Sequence, residues 1–272
     1  MKALIKILFK VFVVPISSLI LIVAIIISSI SFIERSLKQP TCIQVINQWA
    51  IVIGVGNYKY LNEDTFYSVN DAKIFSKQLS AIYGSDHVTL LMDSTATKCN
   101  FKAAILNWLV PKVKSGDTVL IFYAGHGNSD YLQMYDSFGD SYDGNVRTNE
   151  LNTWLNMLKS QNIILILDSC GSGGFGDKIV NSSRVILTGS TGTEKCWQEK
   201  LFRHGIFSYY LIEALKNLKT IDCNKDNNIS SKELFVYVQQ KVLLEFEKFP
   251  PPSMQHPEIN GFNPERLVVI NY

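Results

Sequence analysis

The stretch "NIILILDSCGSGGFGD", residues 162–177, joins a run of isoleucine and leucine to an acid, a cysteine and several glycines. An unbroken apolar run bounded by turn residues predicts a strand that is covered on both faces, as in a parallel sheet. Ligands of open α/β sheets bind beyond the carboxyl ends of the strands, so Cys170 is predicted to lie at a binding edge. Because cysteine is also among the residues most often buried, a role in packing stays open at this point.

The segments on either side repeat this alternation of strand and helix. Strands are predicted at 49–58, 87–93, 117–125, 162–168 and 183–190, and helices at 69–84, 101–116, 147–160 and 205–215. Strands that alternate with helices of about ten or more residues predict right-handed crossovers and a mainly parallel sheet. The fold class is therefore α/β, with a central sheet flanked by helices.

The third predicted strand ends as abruptly as the fourth. "LIFYAGHGNSD" (120–130) passes from apolar residues to His126, which is held between two glycines. Consecutive parallel strands are usually neighbours, so His126 and Cys170 are predicted to meet at one edge of the sheet. An imidazole can take the proton of a nearby thiol, and the N–H groups of Gly127 and Cys170 are candidates for an oxyanion hole. A structural role for His126 is the alternative.

The composition excludes several classes of protein. The chain has 272 residues, 47% of them hydrophobic and 18% charged, which is enough apolar sequence for a full core. Its net charge of +2 and its scattered lysines give no patch that would attract nucleic acid. Five cysteines without a CxxC pair favour neither a disulfide framework nor a zinc site.

The N-terminus predicts a membrane anchor. Residues 11–33 carry no charge and are long enough, as a helix, to cross a hydrocarbon core of about 30 Å. Three lysines precede this run, which favours a single-pass topology with the body on the extracytoplasmic side. We therefore assign residues 1–40 to an anchor and linker, and 41–272 to a catalytic domain. Cleavage of a signal peptide near residues 28–31, giving a secreted protein, is the alternative.

"DCNKDNNISSKE" (222–233) has the oxygen pattern of an EF-hand calcium loop. Its predicted Ca²⁺ ligands are Asp222, Asn224, Asp226, Asn228 through its carbonyl, Ser230 through water, and Glu233. The motif prefers glycine where this chain has Asn227, which is the next best residue for a left-handed turn. The alternative is a solvated loop in which Ser230 and Glu233 form a capping box for the next helix.

Several of these motifs together resemble the caspase-like cysteine peptidases. "YAGHG" followed by "DSCGSGG", the pair "AIVIGVGNY" and "NDA", and "GIFSYYLIEAL" (205–215) are similar to this group, which includes caspases, metacaspases and legumains, and most similar to metacaspases. The resemblance implies a caspase-like three-layer sandwich and a cysteine endopeptidase that acts on proteins or peptides with a Cys170/His126 dyad. The caspase pentapeptide is absent, so a strict requirement for aspartate in the substrate is not implied.

The resemblance also implies a preference for substrates with arginine or lysine. In metacaspases, the aspartates that match Asp71 and Asp168 hold the basic side chain, and Ser190 matches a serine of the same pocket. The alternatives are a helix N-cap for Asp71 and a turn residue for Asp168. "GDKIVNSSRV" (176–185) is predicted to be a loop, in which Lys178 and Arg184 would be sites of self-cleavage.

Two other functions stay open. One is an interaction module that keeps the fold but does not turn over substrate. The other is a legumain-like transpeptidase, which would pass the acyl group to an amine instead of water. The oligomeric state is not predicted by the sequence.

Overall fold

A computed structural model describes residues 25–29, 46–62, 64–139, 143–250, 253–265 and 268–271. The chain divides into two units, Met1–Val45 and Ile46–Tyr272. In the first, residues 25–29 are helical, and the rest of the predicted anchor lies outside the described residues. Among the described ranges, no helix combines the length and the hydropathy that crossing a bilayer requires.

The second unit is built on one six-stranded sheet with the order β11-β7-β6-β3-β1-β2. All neighbours in this sheet are parallel except β11, which runs antiparallel to β7. The strands are β1 Gln48–Gly54, β2 Val88–Met92, β3 Thr118–Ala124, β6 Asn162–Asp168, β7 Arg184–Thr188 and β11 Glu258–Gly261. The five predicted parallel strands are confirmed.

Three short antiparallel pairs lie outside this sheet. They are β4 Tyr131–Gln133 with β5 Asn145–Arg147, β8 Gln198–Glu199 with β9 His204–Gly205, and β10 Asn228–Ser230 with β12 Val268–Asn271. The helices are α1 Ser68–Tyr83, α2 Lys98–Ala103 with a π-helical continuation Ala104–Leu109, α3 Thr148–Leu155, α4 Ser172–Ile179, α5 Ile206–Lys216, α6 Leu218–Ile221 and α7 Ser231–Phe246. Single 3₁₀ turns occupy Ser85–His87 and Asp93–Thr95.

Alternate residues of the central strands feed two separate cores. Val52, Phe122 and Ile166 point to a core that includes residues of α1, α5 and α7. Their neighbours Ile53, Tyr123 and Leu167 point to the other face, where residues of α2, α3 and α4 pack. Because successive side chains of a strand point to opposite faces, an uninterrupted apolar run fills both cores. The result is the three-layer α/β sandwich that the sequence predicts.

The helix predicted at 101–116 is shorter and begins earlier. It starts after Thr97, whose hydroxyl accepts a hydrogen bond from the Asn100 N–H, so Thr97 is the N-cap. Its last turn is π-helical, with the Val110 N–H donating to the Ile105 carbonyl. Pro111 follows, and a proline disfavours the helical conformation in the residue before it.

The prediction of a loop at 176–185 is wrong, because α4 covers its first half. The glycines of α4 allow a close approach: a Cβ on Gly176 would lie 3.0 Å from Cγ2 of Ile186 in β7. Tight packing against the sheet therefore offsets the poor helix propensity of glycine. Arg184 is fully buried at the start of β7, and Lys178 forms an ion pair with Asp130. Self-cleavage at Arg184 would require the sheet to open.

Candidate active site

The ends of β3 and β6 form one edge, as the sequence predicts. In the register of this parallel pair, Ala124 lies opposite Asp168. The Gly125 N–H donates to the Asp168 carbonyl at 3.3 Å, which extends the pairing one residue beyond the strands. The segments that begin with His126 and Cys170 therefore leave the sheet side by side.

The backbone of His126 is fixed by two buried tyrosines. Its N–H donates to the hydroxyl of Tyr58 at 2.7 Å, and its carbonyl accepts from the hydroxyl of Tyr123 at 2.6 Å. The rings of His126 and Tyr58 are 5.0 Å apart. Burial raises the pKa of both tyrosines, so both hydroxyls keep their protons. The position of the histidine in the loop is therefore set by groups that do not titrate near neutral pH.

Gly127 begins a small hairpin whose register leaves its N–H free of the hairpin ladder. The Asn128 N–H donates to the Tyr131 carbonyl, and the Gln133 N–H donates to the His126 carbonyl. Gly127 and Leu132 between them form a bridge that is not itself hydrogen-bonded. In such a pair the N–H points away from the partner strand. This orientation fits the predicted role of Gly127 as an oxyanion donor.

Cys170 lies in the turn between β6 and α4 and is half-buried. Its Sγ accepts a hydrogen bond from the backbone N–H of Cys196 at 3.4 Å. Gly171 follows with φ +65°, a left-handed conformation that lets α4 start directly beyond the thiol. A hydrogen bond to sulfur and the nearby N-terminus of a helix both favour the thiolate.

A cavity of about 200 Å³ opens at this edge of the sheet. Its lining includes His126 and Cys170, together with Gly125, Asp168, Cys196 and Trp197. The structure thus brings three of the predicted site residues, His126, Cys170 and Asp168, to one cavity.

Asp168 is buried, and Ser208 of α5 is its main hydrogen-bond partner. One carboxylate oxygen accepts from the Ser208 hydroxyl at 2.5 Å and from the Ser208 N–H at 3.2 Å. Burial raises the pKa of Asp168, and the bonds from Ser208 oppose that shift because they stabilise the charged form. Asp168 is therefore a preorganised acid and not a residue of an exposed turn.

Asp71 lies in α1, where it is almost completely buried, and its carboxylate points to β9. Its Oδ1 forms a hydrogen bond with Nδ1 of His204, and its Oδ2 accepts from the Gly205 N–H at 3.0 Å. The helix begins at Ser68 after Tyr67, so the predicted N-cap role of Asp71 is wrong. Burial raises the pKa of Asp71 to about 6, although the hydrogen bond with His204 opposes the shift.

The two acids converge on Gly205. A Cβ at this position would lie 2.5 Å from Oδ2 of Asp168 and 3.4 Å from Oδ2 of Asp71. A side chain here would occupy the space between the carboxylates, so glycine is required for steric reasons. Asp71 is thus close to Asp168 but does not itself line the cavity.

Ser190 is not part of the cavity wall. It is fully buried, and its hydroxyl donates to the carbonyl of Ser169 at 3.1 Å. It also lies 3.4 Å from the hydroxyl of Ser172. These contacts support the turn that carries Cys170, and they direct the Ser190 side chain away from a substrate.

Sequence reasoning missed His204, Ser208 and Cys196. All three follow the fifth strand, in segments that touch the predicted acids or the thiol. The available signal was the "HG" pair directly before the helix predicted at 205–215, since a polar residue beside a glycine also marked the ends of β3 and β6.

The segment 222–233 has several features of the predicted calcium loop. Lys225 and Asn227 have φ of +60° and +62°, and Oδ2 of Asp222 accepts from the Asn227 N–H at 3.0 Å. Glu233 forms a capping box with Ser230. Within the part of the chain that the structure describes, no three or more His, Cys, Asp or Glu side chains are grouped as metal ligands. The capping-box interpretation is therefore confirmed, and the set of three carboxylates is spread out.

Comparisons with known proteins agree with this architecture. The family model described as Caspase domain, Peptidase C14, matches residues 47–267. Metacaspase-6 of Arabidopsis thaliana is 28% identical over 145 residues, which cover 47% of this chain and 39% of that protein. The match thus spans well under half of the length of this curated relative.

Two solved structures share the fold. Caspase-1 from Spodoptera frugiperda superposes with a TM-score of 0.58 at 16% identity, over 79% of this chain and 86% of the caspase. Protein GSU0716 from Geobacter sulfurreducens superposes with a TM-score of 0.54 at 15% identity, over 82% and 97% of the two chains.

Proposed function

Because this chain belongs to the Peptidase C14 caspase-domain family, we propose that it is a cysteine endopeptidase with Cys170 as nucleophile and His126 as base. The observation that carries the proposal is the shared cavity at the ends of two adjacent parallel strands, which is lined by both side chains. The family implies protein or peptide substrates.

In the proposed reaction, His126 takes the proton of the Cys170 thiol, and the thiolate attacks the carbonyl carbon of the scissile bond. The negative charge that develops on the carbonyl oxygen is held by the N–H groups of Gly127 and Cys170. His126 then gives its proton to the leaving amine, which departs and leaves an acyl group on Cys170. Water, deprotonated by His126, hydrolyses this thioester and restores the thiol.

The proposed substrates carry arginine or lysine before the scissile bond. Support comes from Asp168, a buried acid on the cavity wall, and from Asp71 behind it. A basic side chain that enters the cavity would replace lost hydration with a charge-assisted hydrogen bond to Asp168. Asp71 adds negative charge nearby, although His204 already occupies one of its oxygens.

The test is a fluorogenic peptide panel in which only the residue before the scissile bond varies. Arginine and lysine substrates should be cleaved, and Cys170→Ala should abolish both turnover and labelling by a thiol-reactive peptide. His126→Ala should lower kcat by roughly 10²–10⁴-fold, since a positioned base is lost. His87→Ala is the control, because His87 stacks on Trp49 and precedes β2, far from the strand ends that form the cavity.

Three outcomes would contradict the proposal. Labelling that persists in Cys170→Ala would assign the nucleophile to another cysteine. Labelling without turnover of any peptide would favour the interaction module. Capture of the acyl group by an added amine in preference to water would favour the transpeptidase.

We also propose that the segment 222–233 binds Ca²⁺. The left-handed residues Lys225 and Asn227 support this, because they fold the segment as a tight loop around Asp222. Asp222, Asn224, Asp226, Asn228 and Glu233 would supply oxygen ligands, and the side chain of Glu233 would have to leave its contacts with Cys223 and Ser230 to do so.

A further proposal concerns location. We propose that residues 11–33 anchor the protein in a membrane as a single span, with the catalytic domain on the extracytoplasmic side. The basis is the sequence alone: an uncharged run of sufficient length that follows three lysines.

A further inference from the structure

The cavity contains a second thiol beside the proposed nucleophile. Cys196 lies in the segment between β7 and β8 and lines the cavity together with Cys170. Its backbone N–H donates to Cys170 Sγ at 3.4 Å, and its own thiol donates to the carbonyl of Ser169 at 3.2 Å. Two contacts thus tie Cys196 to the turn that carries Cys170.

The Cys196 thiol is held in this direction by its surroundings. A Cβ on Gly189 would lie 2.7 Å from Cys196 Sγ, so the absence of a side chain there makes room for the thiol. The buried amide of Gln255 bridges the same segment: its Nε2 donates to the Gly189 carbonyl at 2.8 Å, and its Oε1 accepts from the Trp197 N–H at 2.9 Å. The backbone on both sides of Cys196 is therefore fixed, which keeps the thiol close to Ser169 and Cys170.

The distance between the two cysteines suits a disulfide. Because the Cys196 Cα is one bond of about 1.46 Å from the N atom in contact with Cys170 Sγ, this Cα lies within about 5 Å of that sulfur. Disulfide-bonded cysteines have their Cα atoms roughly 4.4–6.8 Å apart. Rotation of the two side chains about their Cα–Cβ bonds is thus the main movement required.

The two thiols differ in their readiness to react with an oxidant. Burial, followed by the proximity of Asp168 and Cys170, raises the pKa of the Cys196 thiol well above its usual range. Cys196 therefore stays protonated, and thiols are oxidised more slowly than thiolates. Cys170 is half-buried, accepts a hydrogen bond at sulfur and precedes a helix N-terminus, so a hydroperoxide would react with Cys170 first.

We propose that Cys196 is a resolving cysteine, which converts the oxidised nucleophile into a reversible Cys170–Cys196 disulfide. This inference rests on the proposed function in that it takes Cys170 as the reactive thiolate. A hydroperoxide oxidises Cys170 to a sulfenic acid: the S–O bond forms, the O–O bond breaks, and hydroxide leaves. The Cys196 thiol then attacks this sulfur, its proton joins the departing hydroxyl, and water is released as the disulfide forms.

The chemical consequence is protection from irreversible oxidation. A sulfenic acid that meets more peroxide becomes a sulfinic acid, which a dithiol does not reduce. Cys196 competes with this step as an intramolecular partner at high effective concentration. The disulfide would also place a covalent bond across the cavity, so the oxidised protein could not accept a substrate until it is reduced.

The experiment treats the full chain with hydrogen peroxide, blocks remaining thiols with iodoacetamide, and maps cross-linked peptides by mass spectrometry without reduction. Wild type should yield a peptide pair joined through Cys170 and Cys196, which dithiothreitol separates. Its peptidase activity should be lost on oxidation and mostly restored by dithiothreitol. Cys99→Ser, which removes an exposed cysteine, should behave as wild type does.

The decisive variant is Cys196→Ser, with each protein compared with its own untreated rate. We expect no Cys170 cross-link, sulfinic acid at Cys170, and activity that dithiothreitol does not restore. The inference is overturned if wild type gives no Cys170–Cys196 peptide, or if Cys196→Ser recovers to the same extent as wild type. Cross-link mapping does not need turnover, so a disulfide in an inactive protein would contradict the proposed function and leave the redox site standing.

Discussion

At Asp71, burial and a histidine act on one carboxyl group in opposite directions. Burial disfavours the charged carboxylate, while the hydrogen bond with His204 favours it, and the pKa that results is about 6. The group thus changes charge within a range in which a peptidase can be assayed. The charge close to Asp168 therefore depends on pH.

A pH profile follows from this shift. Below pH about 6, Asp71 is protonated and neutral, so the attraction for a basic substrate weakens and KM for arginine substrates should rise on acidification. Substrates with a neutral residue at that position should lack this dependence, because they gain nothing from the charge. Steady-state assays between pH 5 and 8 would measure it, and that range is chosen to bracket the shifted value by about one unit or more.

The matched variant is Asp71→Asn, which cannot ionise. It should raise KM for arginine substrates at neutral pH and remove the step in KM near pH 6. A step that survives in Asp71→Asn would assign the titration to another group. A uniform loss for basic and neutral substrates would mean that Asp71 acts only through its contacts with His204 and Gly205.

The residues found from the sequence share one property, and those missed share another. His126, Cys170 and Asp168 lie at the ends of apolar runs, so the predicted strands also predicted their place in space. His204, Ser208 and Cys196 approach the cavity from segments beyond β7, where the tight hairpin β8–β9 has no periodic pattern. Their partners are distant in sequence, and a spacing rule cannot detect such contacts.

Among the elements, α4 depends on tertiary contacts more than any segment that was predicted to be helical. Its sequence, SGGFGDKI, is rich in glycine, and the helix is stabilised by packing on β7 and not by local preference. The strands of the sheet were predictable because their apolar runs are long and uninterrupted. The start of α4 was not, because its signal is a left-handed residue followed by close contacts with distant chain.

Gly171→Ala tests this start. The residue has φ +65°, and a Cβ would meet the backbone of Asn128 and Ser129 at 3.0–3.1 Å. The substitution should cost about 1–3 kcal/mol of unfolding free energy and should also lower kcat/KM, because relief of the contact would displace Cys170. Denaturant unfolding and the peptide assay together measure both effects.

The control is Gly84→Ala, at the end of α1. Gly84 also has a positive φ, +91°, but a Cβ there meets nothing within 4 Å. It should lose stability to a similar extent without a change in kcat/KM. An equal fall in activity for both variants would show that the loss at Gly171 is a consequence of general destabilisation.

For the molecule as a whole, Ca²⁺ bound only by the folded chain must stabilise it. A hundredfold excess over Kd corresponds to about 2.7 kcal/mol, so millimolar Ca²⁺ should raise the Tm of the Cys170→Ala protein above its value in chelator or magnesium. Glu233→Gln should remove most of this rise. Equal Tm values in calcium and chelator would leave residues 222–233 as a capped loop.

The control for that melt must be an acid that faces solvent. Glu150 is unsuitable because it pairs with Lys98 and caps α3. Glu247 is exposed, so Glu247→Gln should keep the full calcium-dependent rise in Tm.

The proposed anchor is tested by fractionation. The full chain should sediment with membranes and resist carbonate extraction, whereas a chain that begins at Lys38 should remain in the supernatant, because it lacks the uncharged run. Intact full-length protein in the supernatant would contradict the anchor. A supernatant form that lacks the first residues would instead favour signal cleavage.

Gln255, which links Gly189 to Trp197, has a consequence for synthesis on the ribosome. Every parallel strand of the sheet is made before this residue, and so are His126 and Cys170. A nascent chain can therefore place the thiol and the imidazole together well before the wall that carries Cys196 is fastened. The cavity is completed only after residue 255 has emerged, so the timing of translation itself delays the appearance of a finished site until most of the chain is available to fold.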